Sequence, residues 1–145
     1  MTRPIHVLNG PNLNRLGLRE PEIYGRATLA EIEGLCREAA GAHPLVFRQT
    51  NSEAELIGWI HEAIDAEGAI VINPAGLSFR SIPLIDALRM APEPLIELHL
   101  SNIHRRDELH RHSLVSTVAT AVIAGLGAAG YPLAVRAMLE RLGGD

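Results

Sequence analysis

Lysine is absent from this chain, and cysteine occurs only once. All 13 basic residues are arginine, so no side chain can form the imine on which Schiff-base aldolases, Schiff-base dehydratases and pyridoxal phosphate enzymes depend. A P-loop is excluded for the same reason, because its motif requires a lysine. The single cysteine, Cys36, excludes an internal disulfide and any zinc site built from several thiolates.

Long apolar runs and an excess of positive charge are also lacking. No run is long enough to span a bilayer, and the opening Met1-Thr2-Arg3-Pro4 does not have the charged-then-apolar order of a signal peptide. The formal net charge of −4 argues against nucleic acid or an anionic membrane as the main partner. A cytoplasmic location is therefore the expectation.

The chain does have enough apolar material for one core. Its 145 residues, 47% of them hydrophobic, are the usual size of one domain, and we expect residues 1–145 to form it. Apolar runs alternate with amphipathic runs, which predicts strands at 5–8, 45–47, 69–72, 95–100 and 118–124, and helices at 28–42, 51 or 52 to 66, 81–90 and 132–142. The alternation predicts an α/β fold: a five-stranded, doubly wound parallel sheet with flavodoxin-like order.

Polar side chains cluster where three of the predicted strands end. Asparagines follow the first strand at 9–14, Asn73-Pro74 ends the third, and Glu97, His99 and Ser101 occupy the end of the fourth. Turn formation alone explains any one of these loops. In a sheet of this kind, however, ligands bind beyond the carboxyl ends of the strands, so together they predict a site. The first loop lacks the Gly-x-Gly-x-x-Gly pattern of dinucleotide sites.

A glycine-bounded segment, residues 17–25, is typical of a mobile lid. It carries Arg19 and Tyr24. A free phenol has a pKa of about 10 and is a poor base at neutral pH, but a nearby guanidinium stabilises the phenolate. The pair is therefore a candidate catalytic base, and a merely structural tyrosine is the alternative.

Glu97 and His99 alternate along a strand, so both side chains can point the same way. A carboxylate beside an imidazole keeps it protonated and oriented, as a general acid requires. A solvated glutamate and a core histidine are the alternative. Further histidines follow at 104, 110 and 112, but their spacing matches no standard metal motif, and no metal is expected.

Taken in order, these segments resemble the type II 3-dehydroquinate dehydratases over nearly the whole chain. The matching blocks are LNGPNLN (8–14), REPEIYG (19–25), NSE (51–53), INP (72–74), HLSNIH (99–104), HS (112–113) and GLG (125–127). The resemblance implies a lyase of the shikimate pathway that eliminates water from 3-dehydroquinate to give 3-dehydroshikimate. It further implies an enolate and no imine or cofactor, which agrees with the absence of lysine.

The resemblance also implies a role for each matching residue. Tyr24, activated by Arg19, removes a proton next to the ketone. Asn73 holds a water near the developing enolate oxygen, an oxyanion-type contribution. His99, oriented by Glu97, donates a proton to the departing hydroxyl.

Further residues are implied in substrate binding. Asn12 belongs to the same site, and the backbone at Leu100 and the hydroxyl of Ser101 hold the substrate carboxylate. Asp86 reaches the site of a neighbouring subunit. The implied assembly is a homo-oligomer, a dodecamer built from trimers, whose partner is a small-molecule substrate.

The chain departs from the family pattern at substrate-contacting positions. Phe79 stands in place of a histidine that contacts the substrate, and His110 in place of a substrate-binding arginine; Ile85 also replaces a usual arginine. Each lost charged hydrogen bond costs about 1.5–3 kcal/mol, and two together weaken transition-state binding by roughly several hundredfold. Two explanations are open. Either the adjacent Arg80 and Arg111 compensate for the lost polar contacts, or the pocket suits a less polar ring.

Three functions follow from these observations. The first is a 3-dehydroquinate dehydratase, favoured because the proton-transfer set is complete. The second is a paralogue that acts on a related cyclohexanone carboxylate, motivated by Phe79 and His110. The third is a non-catalytic oligomeric binding module on the same fold.

Overall fold

Short apolar runs form one parallel sheet in the computed structural model, which describes residues 2–143. The strands are β1 (Ile5–Asn9), β2 (Leu45–Gln49), β3 (Ala69–Asn73), β4 (Leu95–His99) and β5 (Ala121–Ala124). The α-helices are α1 (Pro21–Tyr24), α2 (Leu29–Ala40), α3 (Glu53–Asp65), α4 (Ile82–Arg89) and α5 (Gly130–Gly143). Single 3₁₀ turns are at Leu13–Arg15, Ala75–Phe79, Ile103–Arg105, Glu108–His110, Val115–Thr117 and Gly127–Ala129.

The strand order is β2-β1-β3-β4-β5, and every pairing is parallel. This confirms the predicted flavodoxin-like fold. The three central strands, β1, β3 and β4, are buried at every position, because helices cover both faces of the sheet. Their carboxyl ends therefore lie side by side, as we predicted from the polar residues at the strand ends.

Each face of the sheet has its own core. On one face α2 and α5 pack through Ile32, Val135 and the fully buried Tyr131. On the other face α3 and α4 pack through Leu56 and Leu84. Burying a large aliphatic side chain of this kind contributes about 1.5–3 kcal/mol, so the central strands form a rigid platform.

The helix starts follow from capping chemistry. The hydroxyls of Thr28, Ser52 and Ser81 each accept a hydrogen bond from the backbone N–H three residues on. At Thr28 the hydroxyl also donates to Glu31 Oε1 at 3.2 Å. Such caps stabilise a helix by about 1 kcal/mol each.

Two predictions were wrong in detail near the carboxyl terminus. The last strand begins at Ala121 rather than 118, because Val115–Thr117 forms a 3₁₀ turn instead. The last helix, α5, begins at Gly130 rather than 132, and the turn before it is held because the Gly127 N–H donates to the Leu100 carbonyl at 3.0 Å. Among residues 2–143, no helix has both the length and the apolar character needed to cross a bilayer.

Candidate active site

A cavity of about 130 Å³ opens at the carboxyl ends of the central strands. It adjoins a wider cleft of about 740 Å³ between the lid and the loop after β4. Most of the predicted site residues line the cavity: Asn12, Arg19, Tyr24, Asn73, Phe79, His99, Leu100, Ser101 and His110. The structure therefore brings together side chains from the lid and from the loops that follow β1, β3 and β4.

The loop after β1 is held against the end of β3 by a close backbone approach. The Gly10 N–H donates to the Asn73 carbonyl at 2.8 Å, and a Cβ at Gly10 would lie 2.7 Å from the Pro74 carbonyl oxygen. Only glycine fits without a shift of the backbone. Asn12 follows in a left-handed conformation, and its N–H donates to Asn51 Oδ1 at 2.8 Å.

Glu97 is fully buried in β4 and is surrounded by hydrogen-bond donors. His99 Nε2 lies 2.5 Å from Glu97 Oε2, Ser113 donates to the same oxygen, and Ser116 donates to Oε1. Burial raises the pKa of the Glu97 carboxyl, but the hydrogen bonds from His99, Ser113 and Ser116 outweigh it and hold that pKa below the ordinary value. The group is a carboxylate, and the alternative of a solvated glutamate is wrong.

The buried carboxylate fixes the tautomer of His99. A carboxylate only accepts hydrogen bonds, so the hydrogen lies on Nε2 and Nδ1 is left as the nitrogen for the cavity that His99 lines. The Phe79 ring stacks on the imidazole at 6.1 Å between centroids. The hydrogen bond to Glu97 and the stacked Phe79 ring together fix the orientation of the imidazole.

Tyr24 lies between two guanidinium groups. Arg19, from the same lid, is 4.8 Å from the ring centroid, and Arg106, from the loop after β4, is 5.2 Å from it. Both contacts are cation–π interactions between a guanidinium group and the face of the aromatic ring. Sequence reasoning missed Arg106, although the Arg105-Arg106 pair directly follows a strand end that was already identified as polar.

Asn73, the last residue of β3, has its amide fixed on both sides. Its Nδ2 donates to the Tyr131 hydroxyl at 2.9 Å, and its Oδ1 accepts from the Ala75 N–H at 3.2 Å. Sequence reasoning also missed Tyr131, because its position in α5, 58 residues along the chain, gives no local signal.

Other predicted residues lie away from the cavity. Asp86 is exposed on α4, and Ile85 is buried in the core beside it. Arg80 is exposed and does not line the cavity, and Arg111 pairs with Glu108 at 2.6 Å. Neither arginine takes the place of the lost polar contacts within this chain.

His110 lines the cavity, at the position where the resemblance implies an arginine. Its Nδ1 lies 2.6 Å from Asp107 Oδ1, and its ring meets Phe79 edge-on at 5.7 Å. The His110 hydrogen bond holds the pKa of the exposed Asp107 carboxyl below its ordinary value. Phe79 thus places an apolar wall between the two histidines of the site.

The part of the chain that the structure describes holds no group of three or more histidine, cysteine, aspartate or glutamate side chains placed to bind a metal ion. His104 is exposed, and His112 pairs with Glu108 at the surface.

Comparison with known proteins identifies the family. Residues 3–139 match the model described as dehydroquinase class II. The 3-dehydroquinate dehydratase of Caulobacter vibrioides is 52% identical over 139 residues, covering 94% of this chain and 95% of that protein. The 3-dehydroquinate dehydratase 2 of Agrobacterium fabrum is 54% identical over 137 residues, covering 92% of each.

A solved structure agrees with these matches. The type II dehydroquinase of Propionibacterium acnes superposes with a TM-score of 0.86 at 46% identity, covering 95% of this chain and 97% of the other. The polar strand ends, the lid and the strand order thus occur in a chain that belongs to the class II dehydroquinase family.

Proposed function

We propose that this chain eliminates water from 3-dehydroquinate to give 3-dehydroshikimate, as a lyase of the shikimate pathway. One observation carries the proposal: a phenol flanked by two guanidinium groups and an imidazole locked to a buried carboxylate line the same small cavity. Family membership and the names of the relatives support it.

The reaction proceeds in two proton transfers. Tyr24, as phenolate, takes a proton from the carbon next to the ketone, and the electron pair moves to the ketone oxygen. Asn73 and a water held by it stabilise the enolate oxygen that forms. When the enolate collapses, a carbon–carbon double bond forms and the β-hydroxyl leaves, taking a proton from His99. The product is a conjugated enone and water, and no imine is needed.

The substrate carboxylate binds at the end of β4. The backbone of Leu100 and the hydroxyl of Ser101 are the groups that hold it, and both line the cavity. Asn12 completes the same wall. Arg106 also lines the cavity and adds a positive charge that attracts an anionic substrate.

The assembly we propose is a dodecamer built from trimers, located in the cytoplasm. Asp86 lies exposed on α4 and outside its own cavity, where a residue that serves a neighbouring subunit has to lie.

One observation favours a second substrate. The Phe79 ring occupies the space between His99 and His110, so a hydroxyl on that side of the ring finds no hydrogen-bond partner in Phe79. A related cyclohexanone carboxylate that lacks this hydroxyl then fits better than 3-dehydroquinate.

The first experiment is an ultraviolet assay of the purified protein with 3-dehydroquinate, which follows the conjugated enone. We expect turnover that survives borohydride treatment in the presence of substrate, because no lysine is present to be trapped. Tyr24→Phe should lower kcat by about 10²- to 10⁴-fold, the usual contribution of a general base. A folded oligomer without turnover, or a Tyr24→Phe variant as active as the parent, contradicts the proposal.

Phe79→His separates the two substrates. If the chain acts on a less polar ring, restoring a hydrogen bond should raise kcat/KM for 3-dehydroquinate by about 10- to 100-fold and lower it for the deoxygenated ring. If 3-dehydroquinate is the natural substrate, kcat/KM stays within about threefold of the parent. Turnover of neither ring by parent or variant would favour the binding module.

A further inference from the structure

A hydrogen-bonded chain runs through the buried side of the site. Tyr131 of α5 is fully buried, and its hydroxyl lies between the side chains of Asn9 and Asn73. The distances are 2.7 Å to Asn9 Oδ1 and 2.9 Å from Asn73 Nδ2. The two asparagines are register partners at the ends of β1 and β3, so one phenol bridges two neighbouring strands.

The hydrogen bond that Asn9 makes at the end of this series fixes which group donates and which accepts in the others. Asn9 Nδ2 donates to the Arg48 carbonyl at 3.0 Å, which turns Asn9 Oδ1 toward the phenol as an acceptor. The Tyr131 hydroxyl therefore donates to Asn9 and offers its lone pairs to Asn73. Burial raises the pKa of the Tyr131 phenol, which keeps the hydroxyl protonated so that it remains a donor.

Asn73 consequently has only one orientation that satisfies its neighbours. Its NH₂ group faces Tyr131, and its Oδ1 faces the Ala75 N–H. If the amide were flipped, Asn73 Oδ1 would face the lone pairs of the Tyr131 oxygen and the NH₂ group would face the Ala75 N–H. Both hydrogen bonds would then be lost. One hydrogen of the NH₂ group goes to Tyr131; the second has no acceptor among residues 2–143, and Asn73 lines the cavity.

We propose that Tyr131 is a positioning residue, which holds the Asn73 amide with its free N–H directed at the developing enolate oxygen or the water beside it. The inference rests on the role given to Asn73 in the proposed function. A donor fixed before the reaction stabilises developing charge without reorganisation, which is the source of oxyanion-hole catalysis. Tyr131 thus acts on the reaction from outside the cavity, through one amide.

The test is Tyr131→Phe, which keeps the ring and removes only the bridging oxygen. We expect kcat to fall about tenfold while KM stays within about twofold, because the Asn73 donor matters most once charge develops. Binding of a ring inhibitor with a planar carbon at the enolate position should weaken by a similar factor. Val135→Ala, one turn further along α5 and also fully buried, should lower the melting temperature and leave kcat within about twofold.

Combination with Asn73→Ala separates this inference from the proposed function. Asn73→Ala alone should lower kcat about 100-fold, and adding Tyr131→Phe should then change nothing further, since the two residues act as one unit. If Asn73→Ala is impaired but Tyr131→Phe retains the parent kcat, the positioning role is overturned and the proposed function stands. If Asn73→Ala is fully active, the role given to Asn73 fails and the positioning role of Tyr131 fails with it. Asn9→Ala, which frees the phenol from the other side, should reproduce the loss of kcat and serves as the second variant if Tyr131→Phe does not fold.

Discussion

At the scale of single residues, the chemistry depends on a charge that is expensive to bury. Glu97 has no exposed surface, and an isolated carboxylate in such a position would take up a proton. Hydrogen bonds from His99, Ser113 and Ser116 offset that cost. The serines therefore stabilise the charged partner on which the orientation of His99 depends.

Ser113→Ala should make this dependence visible as a change in pH behaviour. Because the folded-state pKa of Glu97 lies below the ordinary 4.5, its stabilising contribution is present above about pH 4.5 and is lost as pH falls through the folded pKa. Removing one donor raises that pKa toward its ordinary value. The variant should be less stable than the parent by about 1.5–3 kcal/mol near pH 7, and the difference should shrink below about pH 4.

Urea unfolding between pH 7 and pH 3 measures the effect. Ser52→Ala is the matched control, because it also removes one hydroxyl but at the N-terminus of α3, where the hydroxyl caps a backbone N–H. The loss of stability in Ser52→Ala should be nearly independent of pH. A difference between Ser113→Ala and the parent that stays constant across the whole range would show that the serine does not tune Glu97.

Residue patterns suggested candidate residues for proton transfer but not the contacts that hold them in place. The pairs Arg19 with Tyr24 and Glu97 with His99 are close in sequence, so spacing alone suggested them. Arg106 and Tyr131 act through contacts between distant segments, and no local pattern encodes such contacts. A buried carboxylate does demand donors, but the sequence does not say which of its serines supply them.

At the scale of elements, the site is assembled by two loops in backbone contact. The loop after β1 meets the end of β3 at Gly10, where a Cβ would lie 2.7 Å from the Pro74 carbonyl oxygen. Gly10→Ala should force the loops apart. We expect a loss of about 1–3 kcal/mol in stability and a fall in kcat of about tenfold or more, because Asn12 and Asn73 no longer face the same cavity.

Gly58→Ala provides the comparison for this change. Gly58 lies within α3, and nothing would contact an added Cβ within 4 Å, so alanine there should stabilise the protein by about 0.5–1 kcal/mol and leave kcat unchanged. Thermal unfolding and steady-state kinetics of the two variants give both quantities. Full activity in Gly10→Ala would mean that the contact between the loops does not position the site.

Elements with strong periodicity were predicted well, and irregular ones were not. The buried strands and amphipathic helices carry their pattern in neighbouring residues, so their order and type followed from the sequence. The four-residue helix in the lid, Pro21–Tyr24, is too short to show a period. The start of β5 depends on the turn at Val115–Thr117, which forms against the rest of the domain.

At the scale of the whole molecule, Asp86 makes a prediction about assembly. If it serves a neighbouring subunit, a site needs Tyr24 from one chain and Asp86 from the next. Tyr24→Phe and Asp86→Asn should each be nearly inactive, but subunits mixed by dissociation and reassociation should recover up to about a quarter of the parent activity, since random pairing rebuilds that share of sites.

Native mass spectrometry verifies that the mixed oligomers have formed. As a control, Tyr24→Phe mixed with His99→Ala should recover nothing, because both residues line the cavity of one chain. Mixed oligomers of Tyr24→Phe and Asp86→Asn that stay inactive would place Asp86 outside the neighbouring site.

The two walls of the cavity differ in what they rest on. Asn73 and His99 lie on the buried ends of β3 and β4, whereas Phe79 and His110 lie on the 3₁₀ turns Ala75–Phe79 and Glu108–His110. We therefore expect substitutions on the two turns to leave Asn73 and His99 in place. Evolution can exchange the ring that this scaffold accepts while keeping the elimination itself, and a library restricted to the two turns is the natural starting point for redirecting it.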